Sequence, residues 1–140
     1  MTYTIKRVNL SPRTENLLKW LDSECFPADE PYDFAKQDWW IVYDEQKHPV
    51  GYAGLKNKGG YVYFGRAGIL PSARGHGLQR RLIRVREKHA RQLGCKSAIT
   101  DTVPSNVASN NNLIREGYEM YHPQAPWRVG GAIYWIKDLT

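Results

Sequence analysis

The sequence predicts one α+β sheet domain over residues 1–140. Three observations carry this. Short runs of β-branched and aromatic residues recur along the chain, apolar stripes of helical period lie between some of them, and Gly, Pro and Asn punctuate the joins. Strands and helices mix without the strict alternation of a doubly wound fold. At 140 residues the chain is long enough to bury a sizeable core.

The elements follow in order. Tyr3 to Val8 alternates with period two and reads as a strand. Ser11-Pro12 is a helix start, with Ser as cap and Pro at the first helical position. Leu17, Leu18 and Leu21 give the helix its stripe, which ends near Phe26-Pro27. Ala28 to Gln37 reads as loop or short helix. Trp39 to Tyr43 and Val50 to Leu55 are strands joined by the polar hairpin loop Asp44–Lys47. Asn57 to Gly60 turns the chain into a strand from Tyr61 to Leu70, whose glycines suggest a bulge or a close backbone approach. Leu78, Leu82, Val85, His89, Ala90 and Leu93 mark a long helix within 75–93, with Gly94 as its C-terminal cap. Lys96 to Thr102 is a strand, Asn106 to Glu116 a helix closed by Gly117, and Tyr118–Tyr121 and Ala132–Ile136 are the last strands.

Composition bounds the function. Hydrophobic residues make up 41% and charged residues 24%, as in a soluble globular protein. No apolar run reaches the length of a membrane span, and Met1 to Arg7 lacks the apolar core of a signal peptide. Cys25 and Cys95 stand alone, which argues against a disulfide framework or a metal site and for a reducing cytoplasm. The net charge of +6 and the pI of about 9.4 suit an anionic partner, either nucleic acid or a phosphorylated ligand. The charge is uneven. Asp22, Glu24, Asp29, Glu30, Asp33 and Asp38 crowd one stretch; Arg74, Arg80, Arg81, Arg84, Arg86, Lys88 and Arg91 crowd another.

The basic stretch opens with Pro71-Ser-Ala-Arg-Gly-His-Gly-Leu-Gln-Arg80, between a strand and a long helix. A glycine-rich turn there exposes backbone N–H groups at the positive end of the helix, and a diphosphate suits it. Neither the P-loop run nor the G-x-G-x-x-G dinucleotide fingerprint is present: Gly75 and Gly77 match the first two glycines of the latter, and the third is missing.

Ile69-Leu70-Pro71-x-x-Arg74-Gly75-x-Gly77 resembles the acetyl-CoA signature of the GNAT acetyltransferase superfamily, Arg/Gln-x-x-Gly-x-Gly/Ala. Its last position is Gln79 where Gly or Ala is usual. Asn106-x-x-Ser109, followed by Gly117-Tyr118, is similar to that family's second motif at matching spacing. The resemblance implies an α/β/α sandwich around a mixed, mostly antiparallel sheet of six to seven strands, splayed between strands 4 and 5, with about four helices. It implies acetyl-CoA as co-substrate, no metal, and transfer to a primary amine. The pantetheine arm would lie between the splayed strands, bonded by the backbone of Gly68, Ile69 and Leu70 and by Asn106, with Ser109 assisting. The amides of Arg74, Gly75, His76, Gly77, Leu78 and Gln79 would hold the diphosphate, and arginines near the turn such as Arg80 the 3′-phosphate. His76 itself reads as a solvent-facing side chain.

Acetyl transfer needs a neutral amine, hence a base, and a donor for the leaving thiolate is useful. Many family members carry a glutamate on the fourth strand, but residues 61–70 contain no acid. A branch resembling the ribosomal-protein N-terminal acetyltransferases has an acid five residues before the motif asparagine, and Asp101 occupies that place, reaching the amine through a water. The alternative is that Asp101 caps a turn. The family's acid, a tyrosine seven residues after the asparagine, is replaced by Leu113. Tyr118 is the substitute by type, with Tyr61 and Tyr63; each reads more readily as a half-buried strand aromatic than as a catalyst.

Acceptors in this superfamily enter by the first helices and the loop between the last two strands. Here those are the acidic stretch 22–38 and the loop 122–131, with Asp29, Trp39 and Trp127 as candidate contacts for a cationic amine on a small molecule or a peptide. A solvated acidic face with core tryptophans is the plain alternative. Two rival functions remain beside this one. The first is an acyl-CoA-binding module with little turnover. The second is a basic nucleic-acid-binding protein, for which the arginine-rich helix gives a footprint but no second recognition helix or base-stacking platform. A homodimer stays open.

Overall fold

The structure, a computed structural model, describes residues 2–140. Seven strands form a mixed sheet in the order β1-β2-β3-β4-β5-β7-β6. They are β1 (Thr4–Val8), β2 (Asp38–Tyr43), β3 (Pro49–Asn57), β4 (Tyr61–Ile69), β5 (Ser97–Thr102), β6 (Glu119–Met120) and β7 (Ile133–Asp138). Three α-helices accompany them: α1 (Pro12–Cys25), α2 (Leu78–Gln92) and α3 (Val107–Arg115). A single 3-10 turn, Pro71–Ala73, is the fourth helical piece. The chain divides into two compact units, Met1–Lys56 with Gly65–Leu82, and Asn57–Phe64 with Ile83–Thr140.

In the first unit β1 runs antiparallel to β2, with Thr4 opposite Tyr43 and Val8 opposite Trp39, and β2 runs antiparallel to β3. The start of α1 is the one the sequence predicts. The Ser11 hydroxyl accepts from the Thr14 amide at 3.2 Å, and the Thr14 hydroxyl accepts from the Ser11 amide at 2.7 Å, so two donors at the helix start are satisfied reciprocally. Leu18 and Leu21 on α1 then bury against Phe34, Trp39, Ile41 and Tyr52, the core of this unit. The segment between α1 and β2, expected as loop or short helix, is a loop.

In the second unit β4 pairs in parallel with β5 through three residues only, Tyr61 with Ser97, Val62 with Ala98 and Tyr63 with Ile99. There the ladder ends, and the next link is a side chain: the Thr100 hydroxyl donates to the Phe64 carbonyl at 2.8 Å. This short parallel ladder matches the expected parting of strands 4 and 5. β5 runs antiparallel to β7, and β7 to β6. Gly94 and Gly117 end α2 and α3 with φ of +79° and +89°, left-handed values that glycine adopts without a Cβ penalty. Helix α2 starts at Leu78 rather than Gly75, because Gly75 and Gly77 are both left-handed and cannot be helical. Among the described residues no helix is long and apolar enough to cross a membrane.

The buried face of α2 is not purely apolar. Within this unit Ile83 and Ala90 are buried as the periodicity requires, but so are Arg86 and Glu87. The Arg86 guanidinium lies over the Phe64 ring, 4.4 Å from its centroid, and burial lowers its pKa to about 10. Glu87 accepts from Lys137 Nζ at 3.0 Å and from the Tyr118 hydroxyl at 2.8 Å. Buried charges persist only when paired, and these are.

Candidate active site

The turn predicted to hold a diphosphate lies in the first unit. Gly75 (φ +84°) and Gly77 (φ +71°) flank His76, and a Cβ built on either glycine would meet nothing within 4 Å. The backbone is therefore open on this side. The first helical hydrogen bond of α2 runs from the Arg81 amide to the Gly77 carbonyl, so the amides of Leu78, Gln79 and Arg80 precede the intrahelical ladder. Open glycines and leading amides at a helix start suit an anion, and a diphosphate fits their chemistry. The Leu78 side chain is buried, which fixes the turn from below and leaves only its amide for a ligand. Gln79 and Arg80 are half-buried. His76 is exposed but not bare: its ring centroid lies 5.2 Å from that of Tyr3.

The end of β4 sorts the predicted pantetheine contacts. The Leu70 amide donates to the Val50 carbonyl at 2.8 Å. The Gly68 carbonyl also points toward β3, 3.1 Å from a Cβ built on Gly51. Backbone groups alternate along a strand, so the Gly68 carbonyl and the Leu70 amide are turned to β3, the Leu70 carbonyl accepts from the Ala73 amide at 2.9 Å, and Ile69 faces the opposite edge. Of the three residues expected to bond the pantetheine, Ile69 turns its backbone away from β3, as the alternation also requires of Ala67, two residues back. Arg74 Nε donates to the Ile69 carbonyl at 3.1 Å, bracing turn against strand. Gly68 has its own reason to be glycine: a Cβ there would stand 2.9 Å from the Cys25 side chain and from Tyr52 Cε1. The Cys25 thiol is raised by burial, against the pull of Arg74, and so stays protonated and a poor nucleophile.

Three acids of the acidic stretch, Asp22, Asp29 and Asp38, pair with arginines within the first unit. Arg66, the one charged residue in β4, donates from Nε to Asp22 at 2.8 Å and from Nη2 to Asp29 at 3.0 Å. Its guanidinium carbon lies 4.5 Å from the Phe26 ring centroid and 5.2 Å from that of Tyr32. The Tyr52 hydroxyl donates to Asp22 as well. Asp38 pairs with Arg7 at 3.1 Å. Asp29, expected to meet a cationic acceptor, instead holds the chain's own arginine, although half its side chain remains exposed. Trp39 is a correction: only 1% exposed, it packs among Phe34, Tyr32 and Tyr52 and donates its indole N–H to the Phe34 carbonyl at 2.8 Å. It is core, with no face for an acceptor. A lone arginine in a strand was the sequence signal for this cluster, since such a charge must find partners.

The second unit holds the candidate base. The Asp101 side chain is 6% exposed. Its Oδ1 accepts from the Tyr63 hydroxyl and from the Trp127 indole N–H at 3.1 Å, and its Oδ2 from Arg128 Nη1 at 2.6 Å. Trp127 thus reaches Asp101 as well as sitting on the predicted acceptor loop. Arg128 and the pairing with Tyr63 were not foreseen. Asn106 caps α3, its Oδ1 accepting from the Ser109 amide at 3.3 Å; Ser109 thereby spends its backbone donor on the helix cap. Leu113, where the family's acid would stand, is a buried core residue. Tyr118 is buried at 4% exposure with its hydroxyl on Glu87, and burial together with that charge raises its pKa. It keeps its proton and faces the interior network.

The arginine-rich helix is largely spent on internal contacts. Arg81 donates to the Tyr3 carbonyl in the first unit; Arg84 pairs with Glu116 at 2.6 Å and Arg91 donates to the Leu139 carbonyl at 3.1 Å in the second. No group of three or more metal-ligating side chains occurs among the described residues.

The Acetyltransferase (GNAT) family model matches residues 12–118. No curated protein matches the chain. Similar solved structures include the ribosomal-protein-S18-alanine N-acetyltransferase from Escherichia coli, 13% identical over 99% of this chain and 95% of that one, with a TM-score of 0.79. A nourseothricin acetyltransferase is 14% identical over the whole of both chains, with a TM-score of 0.78. A chain of the NatC complex bound to Gag peptide and CoA is 18% identical over the whole of both, with a TM-score of 0.81. At these identities the likeness is one of fold.

Proposed function

Because the chain belongs to the acetyltransferase (GNAT) family, we propose that it moves an acetyl group from acetyl-CoA to a primary amine of a small molecule or a peptide. The observation that carries this is the Gly75-His76-Gly77 turn, open and left-handed at both glycines, at the start of α2. The family match takes in residues of both compact units, which supports reading 1–140 as one functional domain. Structures of similar fold include an acetyltransferase named for an antibiotic and others named for protein or peptide ligands, so the acceptor class stays as broad as an amine.

Acetyl-CoA supplies an activated thioester carbon. The amides from Gly75 to Gln79 are proposed to hold its diphosphate, the predicted Arg74 amide being already donated to the Pro71 carbonyl at 3.3 Å; the Ile69 amide is proposed to meet the pantetheine, and Asn106 to add a side-chain contact. Asp101 is the proposed base, through a water. It takes a proton from the acceptor ammonium, the freed nitrogen lone pair forms the C–N bond, the nitrogen loses its second proton to solvent as the C–S bond breaks, and the thiolate takes up a proton. Among the predicted residues Tyr118 lacks support as that last donor, since Glu87 holds its hydroxyl inside the protein. A thiolate leaving unaided and protonated by solvent is the reading that Leu113 and Tyr118 favour.

The test is calorimetric titration of acetyl-CoA into the wild type and into Gly77→Glu. The expected result is micromolar binding lost in the variant, because a side chain at left-handed φ strains the turn and a carboxylate repels the diphosphate. Gly75→Ala, which strains the turn without adding charge, should weaken binding less. Absence of binding in folded wild-type protein removes the cofactor reading.

A further inference from the structure

We propose that Asp101, walled by Tyr63, Trp127 and Tyr134, is a cation subsite for the acceptor's ammonium group, and that Arg128 is its built-in competitor. The proposal rests on the acetyl-transfer reading for its place in catalysis, but the subsite itself is argued from contacts. Asp101 is almost fully buried, and a buried carboxylate requires a cation. Arg128 supplies that cation through a 2.6 Å contact to Oδ2.

The surroundings are those of a cation site rather than of a plain ion pair. Tyr63 and Trp127 both donate to Oδ1 and stand edge to face, with centroids 6.0 Å apart and planes at 89°. Trp127 meets Tyr134 in the same manner, at 4.6 Å and 73°. A desolvated carboxylate beside three aromatic rings attracts an ammonium or guanidinium by its charge.

The residue filling the site belongs to the element least able to hold it. Arg128 lies in the loop between β6 and β7 with 44% of its side chain exposed, so solvent reaches the guanidinium. Its neighbour Val129 is 97% exposed. Gly130 and Gly131 follow at φ +89° and +77°, with nothing within 4 Å of a Cβ on either. The described anchors of this stretch are the contacts of Trp127 and Arg128 with Asp101, Tyr63 and Tyr134, the last through the Tyr134 hydroxyl, which lies 3.2 Å from both the Arg128 amide and its carbonyl. An ion pair whose cation is 44% exposed, on a loop end with few anchors, is open to exchange with a cation from solvent. An acceptor ammonium entering this loop would displace Arg128 from Oδ2 and be held beside the carboxylate that, through a water, is to deprotonate it. The acceptors favoured are therefore cationic amines, and neutral isosteres are disfavoured.

The experiment is a titration followed in ¹⁵N–¹H spectra of the full chain, reading the Trp127 indole N–H, assigned through Trp127→Phe. The probe is n-butylammonium, with n-butanol as its neutral isostere. The expected result is a saturable shift with n-butylammonium alone. Its dissociation constant should fall by at least about fivefold in Arg128→Ala, because removing a competitor restores the binding-competent fraction. Arg128→Lys should stay near the wild type, and Asp101→Asn should lose the shift. Arg128→Gln, which keeps donors without the charge, repeats the test should the Ala variant fail to fold. Unchanged or weaker binding in the uncharged variants, or an equal shift with n-butanol, overturns the proposal. Acetyl-CoA calorimetry and thiol release on the same samples separate the two readings. A cation-specific shift without cofactor binding would sink acetyl transfer and leave the subsite standing; turnover of n-butylammonium indifferent to Arg128 would do the reverse.

Discussion

Arg74 Nε donates to the carbonyl oxygen of Ile69, 3.1 Å away, and so ties the glycine turn to the end of β4. One side chain thereby sets the spacing between the strand edge and the amides that lead α2. Arg74→Ala should cost about 1 kcal/mol of stability, the usual net worth of such a bond. It should also raise the acetyl-CoA dissociation constant by about tenfold, roughly 1.4 kcal/mol. Arg74→Lys keeps the charge without the Nε donor and should fall between. Thermal unfolding and calorimetry on the three proteins check both effects.

Trp39→Phe tests the placement of that ring in the core. It removes the indole donor and leaves the Phe34 carbonyl, buried beside it, without its partner. The expected loss is about 1–3 kcal/mol in urea unfolding. Acetyl-CoA affinity and the Michaelis constant for any amine should not move. A changed amine constant at unchanged stability would return Trp39 to the acceptor site.

Asp22 holds Arg66 and Tyr52 together inside the first unit. Asp22→Ala leaves the arginine's Nε without an acceptor at 20% side-chain exposure and should destabilise by about 3 kcal/mol. The double variant Asp22→Ala with Arg66→Met, which removes both charges, should recover most of that loss. Equal stability of the single and double variants would show that the pair is uncoupled.

Alkaline pH offers a fourth probe. Tyr52 and Tyr118 are both raised above the ordinary tyrosine value, by burial first, with Asp22 and Glu87 adding to it respectively. A group raised in the folded state contributes stability that is complete below its unfolded pKa, about 10 for tyrosine, and that is lost as pH rises above it. Stability should therefore fall above about pH 10, with each tyrosine adding up to ~1.4 kcal/mol per pH unit to the slope. Tyr118→Phe should flatten that slope at a modest cost at neutral pH, and should leave kcat near the wild-type value. A large fall in kcat without a change in slope would restore Tyr118 as the proton donor.

Much of this fold was local and therefore readable. The Ser11-Pro12 helix start, the Gly94 and Gly117 stops, the glycine turn at 75–77 and the strand runs are each decided by a few neighbouring residues through φ preference, capping and period. The same holds for the two motifs around Arg74 and Asn106, which lie close along the chain. What sequence could not decide was which polar groups face one another across 27 to 50 residues. Arg66 meets Asp22 and Asp29, Glu87 meets Tyr118 and Lys137, and Asp101 meets Tyr63 and Arg128. Each pairing is set by strand register and by the demand that a buried charge find its opposite, and neither is written in local spacing. The same tertiary demand turned Trp39 inward and set the Gly68 carbonyl and the Leu70 amide against β3. Sequence determined where a phosphate turn could form; only the folded chain decided which of its neighbours still had a hand to offer.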